Sequence, residues 1–158
     1  MSSAASPTVC ILVDADACPV KAEIYRVAER HKVPVKVVSN SAFRIPDNPL
    51  FQRIIVSDSF DAADDWIAEA AHAKSVVITG DILLAERCLK AGAKVIAGNG
   101  KPFTKASIGG AIATRAIMAD LRAGADGIGG GPPPFSKADR SRFLQELDKV
   151  LVKIIRLG

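Results

Sequence analysis

Carboxylates recur at three places in this chain. Asp14 and Asp16 follow the apolar run Cys10-Ile11-Leu12-Val13; Asp61, Asp64 and Asp65 open a helical stretch; Asp81 follows Gly80. Two residues apart on an extended strand, Asp14 and Asp16 share a side, while Asp61, Asp64 and Asp65 are related by the three- and four-residue steps that make one helical face. Gathered in one pocket, like charges raise one another's pKa or destabilise the fold unless a cation intervenes. A hard divalent ion, Mg²⁺ or Mn²⁺, prefers oxygen ligands, keeps several waters and is held by a few carboxylates plus substrate phosphate. The chemistry such a pocket would support is metal-assisted phosphodiester hydrolysis.

Each acid also has a plainer reading. Asp61 and Asp64 would serve as a helix cap and a first-turn acid that complements the helix dipole, and Asp81 as an N-cap. Asp14 and Asp16 have no such alternative, because strand propensity disfavours two carboxylates at the end of a buried strand.

The elements that must position these residues alternate between strand and helix. An apolar strand over Thr8–Asp14 leads into a helix over Pro19–His31, with Val20, Ile24, Val27 and Ala28 at helical spacing and Pro19 in the first turn. Val33–Val38 is a second strand, followed by a loop over Ser41–Leu50 with Pro46 and Pro49, and Arg53–Ser57 is a third. Asp58-Ser59-Phe60-Asp61 supplies cap residues for a helix through His72, with Ala63, Trp66, Ile67 and Ala70 facing inward. Ser75–Thr79 is a fourth strand, Ile82–Ala91 a helix and Lys94–Ala97 a fifth strand. This alternation predicts parallel βαβ units, in which ligands sit outside the carboxyl ends of the strands, where Asp14 and Asp81 fall.

Beyond Gly98 the pattern changes. Ser107–Arg122 reads as a helix, residues 124–136 as a Gly/Pro-rich connector without Walker or dinucleotide-loop spacing, and Lys137–Ile155 as a final amphipathic helix with Phe143, Leu147, Val150, Leu151 and Ile154 on one side. That stripe would either close the core or support a homodimer.

Composition sets the outer bounds. At 158 residues, 49% hydrophobic and 24% charged, the chain suits one folded domain over residues 1–158, with residues 1–7 a flexible lead-in. A net charge of +4, from 21 Lys and Arg against 17 Asp and Glu, permits a phosphate-bearing partner without demanding one. Three scattered cysteines, Cys10, Cys18 and Cys88, argue against a disulfide framework or a zinc site and suit a reducing cytoplasm. No apolar run reaches membrane-spanning length, so no membrane partner is expected. Aromatic residues at 5% leave a stacking platform unsupported, and Trp66 and Tyr25 read as packing residues. His31 and His72 fall near helix ends and read as solvated or capping groups, whereas Arg44, Arg53, Lys101 and Lys105 would reach phosphates from loops.

Several motifs together resemble the bacterial YaiI/YqxD family: Val13-Asp14-Ala15-Asp16-Ala17-Cys18-Pro19-Val20, then Asn40 with Arg44 and Pro46, Phe60-Asp61-Ala62-Ala63-Asp64, and Ile78-Thr79-Gly80-Asp81-Ile82. Leu121-Arg122, Gly130-Gly131-Pro132, Phe135, Asp139-Arg140 and Phe143 extend the resemblance toward the end of the chain. It implies a PIN-like fold, a three-layer α/β/α sandwich on a mainly parallel sheet, and PIN-like domains are typically metal-dependent ribonucleases. On that resemblance Asp14, Asp16, Asp64 and Asp81 stand as catalytic acids, and with Asp61 as metal ligands. Leu83 departs from a more usual Pro, which would alter the turn that aims Asp81, and Asp65 from a more usual Asn.

Three functions follow as expectations. The first is a Mg²⁺- or Mn²⁺-dependent nuclease acting on RNA, with Asn40, Arg44 and Thr79 as substrate-binding residues. The second is a non-catalytic RNA- or protein-binding module that keeps the acidic pocket. The third is a phosphatase, since Asp14-Ala15-Asp16 also resembles the haloacid-dehalogenase opening, although Ala17-Cys18-Pro19 fits that pattern poorly.

Overall fold

The computed structural model describes residues 8–15, 18–59, 61–109 and 135–157. Asp16, Phe60, the lead-in 1–7, most of the expected helix over Ser107–Arg122 and the connector up to residue 134 lie outside the described residues.

The strands are β1 (Cys10–Asp14), β2 (Val35–Ser39), β3 (Phe51–Ile55), β4 (Ser75–Ile78), β5 (Lys94–Ile96) and β6 (Pro102–Phe103). They form a single sheet in the order β3-β2-β1-β4-β5-β6, parallel throughout except for the β5–β6 pair. The helices are α1 (Lys21–His31), α2 (Ala62–Ala70), α3 (Ile82–Lys90) and α4 (Lys137–Leu157). Three layers result, with the sheet in the middle.

Strand alternation sorts the core into two halves. Ile11, Val13, Val37, Val76 and Ile78 face α1 and α4, while Cys10, Leu12, Val38, Val77 and Val95 face α2 and α3. A strand covered on both faces needs apolar residues at every position, which is why β1 and β4 read as unbroken apolar runs. Edge strand β3 is different: Gln52, Arg53 and Ile55 are exposed.

The C-terminal helix belongs to this core. Phe143, Leu147 and Leu151 on α4 are fully buried with Val20, Ile24 and Val27, and burying each such side chain is worth roughly 1.5–3 kcal/mol. Charged groups then tie α4 to α1 at both ends of the contact. Arg140 Nη1 donates to the Pro19 carbonyl at 2.9 Å and lies 3.2 Å from Glu23, and Asp148 meets His31 Nε2 at 2.6 Å and Arg30 Nη1 at 3.3 Å. His31, expected to be solvated or capping, is therefore half-buried in an inter-helix contact.

The remaining differences from expectation are local. Helix α1 begins after Val20, so Pro19 precedes the helix instead of occupying its first turn. Helix α2 ends at Ala70 because Ala71 turns to extended backbone and His72 is taken into the turn before β4. Strand β6 was not expected; two residues carry no periodicity, and Pro102 is tolerated because β6 is an edge.

Candidate functional site at the strand-order reversal

The strand order reverses between β1 and β4, which pair directly, with Val13 opposite Ile78. At such a reversal the connections leave in opposite directions and open a crevice beyond the carboxyl ends of the strands. Asp14 ends β1, and Thr79 follows β4 immediately beside it. Both continue the alternation of Leu12 and Val77, so both fall on the side of the sheet covered by α2 and α3.

One hydroxyl ties this point together. Thr79 Oγ1 donates to Asp14 Oδ2 at 3.0 Å and accepts from the Asp81 backbone N–H at 3.0 Å. Thr79 is only 3% exposed, so its hydroxyl orients Asp14 and the turn into α3. That is a positioning task, whereas the sequence reading gave Thr79 to the substrate.

Asp81 does cap α3: its Oδ1 accepts from Leu83 N at 2.9 Å and Leu84 N at 3.3 Å. The capping role leaves Oδ2 without a partner among the described residues. Exposed Leu83 is the first of these donors and supplies an N–H that a proline at this position would lack.

The α2 acids divide. Asp65 is paired with Arg87 of α3 at 2.9 Å, an exposed bridge worth little by itself. Asp61 occupies the N-cap position in left-handed backbone, φ 68°, which Asp tolerates better than most residues, and its side chain makes no capping bond. The side chains of Asp61 and Asp64 accept no hydrogen bond from a described residue. Burial, followed by the carboxylates of Asp81, Asp14 and Asp61, pushes the Asp64 carboxyl up to about 6, with Arg87 pulling the other way. Acids from β1, the α2 N-terminus and the α3 N-terminus thus act on one another electrostatically at one corner of the sheet.

Mutual influence is not ligation. Among the described residues, no group of three or more His, Cys, Asp or Glu side chains is placed to hold a metal ion, and Asp16, expected on the same side as Asp14, lies outside them. The donor set is still of one kind. All-carboxylate oxygen, without imidazole or thiolate among the interacting groups, suits a hard cation, and Mg²⁺ is commonly bound through only one or two carboxylates with water completing its shell. A cation here would also relieve the repulsion that raises Asp64.

A cavity of about 210 Å³ adjoins the same strand ends. Asp14, Thr79 and Gly80 line it together with Cys18, Asn99 and Phe135, and Ile78, Pro19 and Gly98 place it toward α1 and α4, away from α2 and α3. Its far wall is the β5–β6 turn, held against α4 by Gly100. That residue has φ +89°, and a Cβ there would lie 2.7 Å from the Arg142 carbonyl carbon and the Phe143 nitrogen, so only glycine fits. Burial raises the Cys18 thiol, with a smaller lowering effect from a Val20 backbone hydrogen bond.

Of the other expected substrate-binding residues, Asn40 follows β2 at the same edge of the sheet and is exposed; Arg44 is exposed in the β2–β3 loop. Neighbouring Phe43 and Ile45 pack on the α1 side of the core, and Arg53 is tied to the Phe43 carbonyl at 2.7 Å. Asn99 and Phe135 were missed as site residues. Asn99, three residues beyond β5, falls where the strand-end rule looks but was not singled out, and nothing local points to Phe135.

The fold is that of a doubly wound α/β protein, with carboxylates on one side of the crevice beyond β1 and β4 and a small cavity on the other. The chain belongs to the YaiI/YqxD family: the family model described as "Uncharacterized BCR, YaiI/YqxD family" matches residues 12–153. A UPF0178 protein of Sphingopyxis alaskensis is 74% identical over 146 residues, covering 92% of this chain and 95% of that one. UPF0178 proteins of Nitrobacter winogradskyi and Bradyrhizobium diazoefficiens are each 58% identical over 146 residues, covering 92% of this chain and 92% and 87% of theirs. The family is uncharacterised, and none of these names states an activity. No solved structure matches the chain. No helix among the described residues is long and apolar enough to cross a membrane.

Proposed function

We propose that the protein is a divalent-metal-dependent nuclease that hydrolyses RNA phosphodiester bonds at the reversal between β1 and β4. The observation that carries this reading is the convergence of Asp14, Asp61, Asp64 and Asp81, drawn from three separate elements, on the crevice where a doubly wound sheet binds its ligand. Packing gives no reason for that convergence, since it places repelling charges together.

Asp14 and Asp64, with Asp16 two residues beyond Asp14, are the residues that would hold Mg²⁺ or Mn²⁺, and Asp81 and Asp61 would hold its water shell. A bound ion of this kind supplies Lewis acidity, lowering the pKa of a water and neutralising charge on the phosphoryl oxygens. The protein's own contribution is positional. Thr79 fixes the Asp14 carboxylate through its hydroxyl, the α3 cap fixes Asp81, and exposed Asn40 and Arg44 contact the flanking backbone.

The test is cleavage of end-labelled RNA with Mg²⁺ or Mn²⁺ by the parent, D14N and D81N. Asn caps a helix about as well as Asp, so D81N keeps α3 intact. We expect both variants to lose more than about 100-fold in rate, beyond the ~10–100-fold typical of residues that only support a metal site. Parent-like cleavage by both would refute the assignment.

A further inference from the structure

The cavity beside the acids has a chemistry of its own. Lys101 N–H donates to Asn99 Oδ1 at 3.0 Å, which fixes the amide and leaves its NH₂ group without a partner among the described residues. The Phe135 ring carries the Arg140 guanidinium over it, 4.9 Å from the centroid. Two arginines brace the walls from behind and are themselves paired: Arg140 with Pro19 O at 2.9 Å and Glu23 at 3.2 Å, and Arg142 with Asn99 O at 3.3 Å and Asp139 at 3.1 Å. The space thus offers an aromatic ring, an amide donor and Gly80 and Gly98 as walls without side chains.

Size narrows the occupant. At about 210 Å³ the cavity is smaller than the ~300–1,000 Å³ of sites that enclose a whole drug-sized ligand, so it takes one ring and leaves the rest of the molecule outside. A bare anion is disfavoured because Asp14 contributes a carboxylate to the lining. A planar heterocycle with hydrogen-bonding edges matches the aromatic ring and the amide.

We propose that this cavity receives one unstacked base of a single-stranded RNA, next to the phosphate held at the acids. The proposal deepens the nuclease reading and depends on it for the neighbouring phosphate alone. A paired base is not available to such a cavity without the cost of leaving its stack. Single strands are therefore the substrate class, and duplex RNA is a poor one.

The experiment is a ¹H–¹⁵N NMR titration of the full chain with uridine and adenosine, which carry no phosphate for the acids to repel, in chelator so that no metal contributes. Parallel titrations use F135A, F135L and N99D. F135L keeps apolar volume while removing the ring, and N99D keeps the acceptor for Lys101 while removing the amide donor. We expect saturable shifts at the amides of Thr79, Gly80, Gly98 and Asn99, weakened about tenfold or more in F135A and F135L and also weakened in N99D. Absence of shifts at those amides, or parent affinity in both Phe135 variants, would overturn the proposal. Nucleoside binding without any metal-dependent RNA cleavage by the parent would instead leave the cavity assignment standing and refute the nuclease reading. Equal cleavage of single-stranded and duplex RNA would overturn the assignment of substrate class.

Discussion

The two ends of the same strands are built on opposite plans. At the amino end, the turn into β4 closes on itself. Ser75 Oγ donates to the His72 carbonyl at 2.8 Å and accepts from His72 N–H at 2.9 Å, His72 Nδ1 accepts from Lys74 N–H at 3.1 Å, and Cys10 Sγ sits 3.7 Å from His72 Nε2. Burial, then Lys36 and Lys74, lowers the His72 pKa and keeps it neutral, so the turn carries no charge that needs a partner from outside. At the carboxyl end, Thr79 ties Asp14 to the α3 turn, yet Asp61, Asp64 and Asp81 still bring negative charge toward it. One end spends its polar groups on the fold, and the other keeps carboxylates close enough to raise the pKa of Asp64. Unresolved electrostatic cost at the edge where α/β proteins bind ligands is a sign of function that neither acid content nor fold alone provides.

Substitutions at the two ends should therefore change stability in opposite directions. The largest effect is expected at the closed end, where S75A removes the hydroxyl that accepts from the half-buried His72 N–H, while the His72 carbonyl keeps the Ser75 N–H at 3.0 Å, and costs about 1–2 kcal/mol in chemical denaturation. A neutral result would mean that this turn is not closed by Ser75. At the open end, D64N should stabilise the metal-free protein by about 1 kcal/mol at pH 7.5, a figure discounted for solvent screening around a partly exposed group. The folded-state pKa of about 6 lies above the unfolded value of 3.8, so the folded state binds the extra proton. The penalty on the parent is accordingly absent below the lower value, grows as pH rises between the two and is complete above the upper one. Denaturation at pH 3.5 should find D64N and the parent level. The smallest effect is expected in the α1 half of the core, where the buried Tyr25 hydroxyl has no partner among the described residues and burial raises its pKa. Y25F should add about 1 kcal/mol or less, read as a small rise in denaturation midpoint with an unchanged slope.

The sheet was legible in the sequence because its strands are buried on both faces: the unbroken apolar runs of β1 and β4 follow directly from the helices on either side. The alternation of elements implies the parallel topology, and the strand-end rule leads from sequence to Asp14 and Asp81 at the crevice. Residues with two uses were harder to read. Asp81 is both a cap and a member of the acidic group, and its sequence position is the same in either role. Asp61, expected to cap α2 with its side chain, takes the cap position with its backbone alone. The cavity was not legible at all. Its lining comes from β1, the start of α1, the turn after β4, the turn after β5 and the approach to α4, so its existence depends on how α4 docks, and the glycine that permits this, Gly100, reads in sequence as an ordinary turn residue.

The central claim, that the acids at the β1–β4 reversal hold a divalent cation, is tested most directly by calorimetric titration of Mn²⁺ into the parent, D14N and D81N proteins. The account predicts saturable binding by the parent and affinity at least about tenfold weaker in both variants. Absence of binding at millimolar Mn²⁺, or equal affinity in all three proteins, would contradict it.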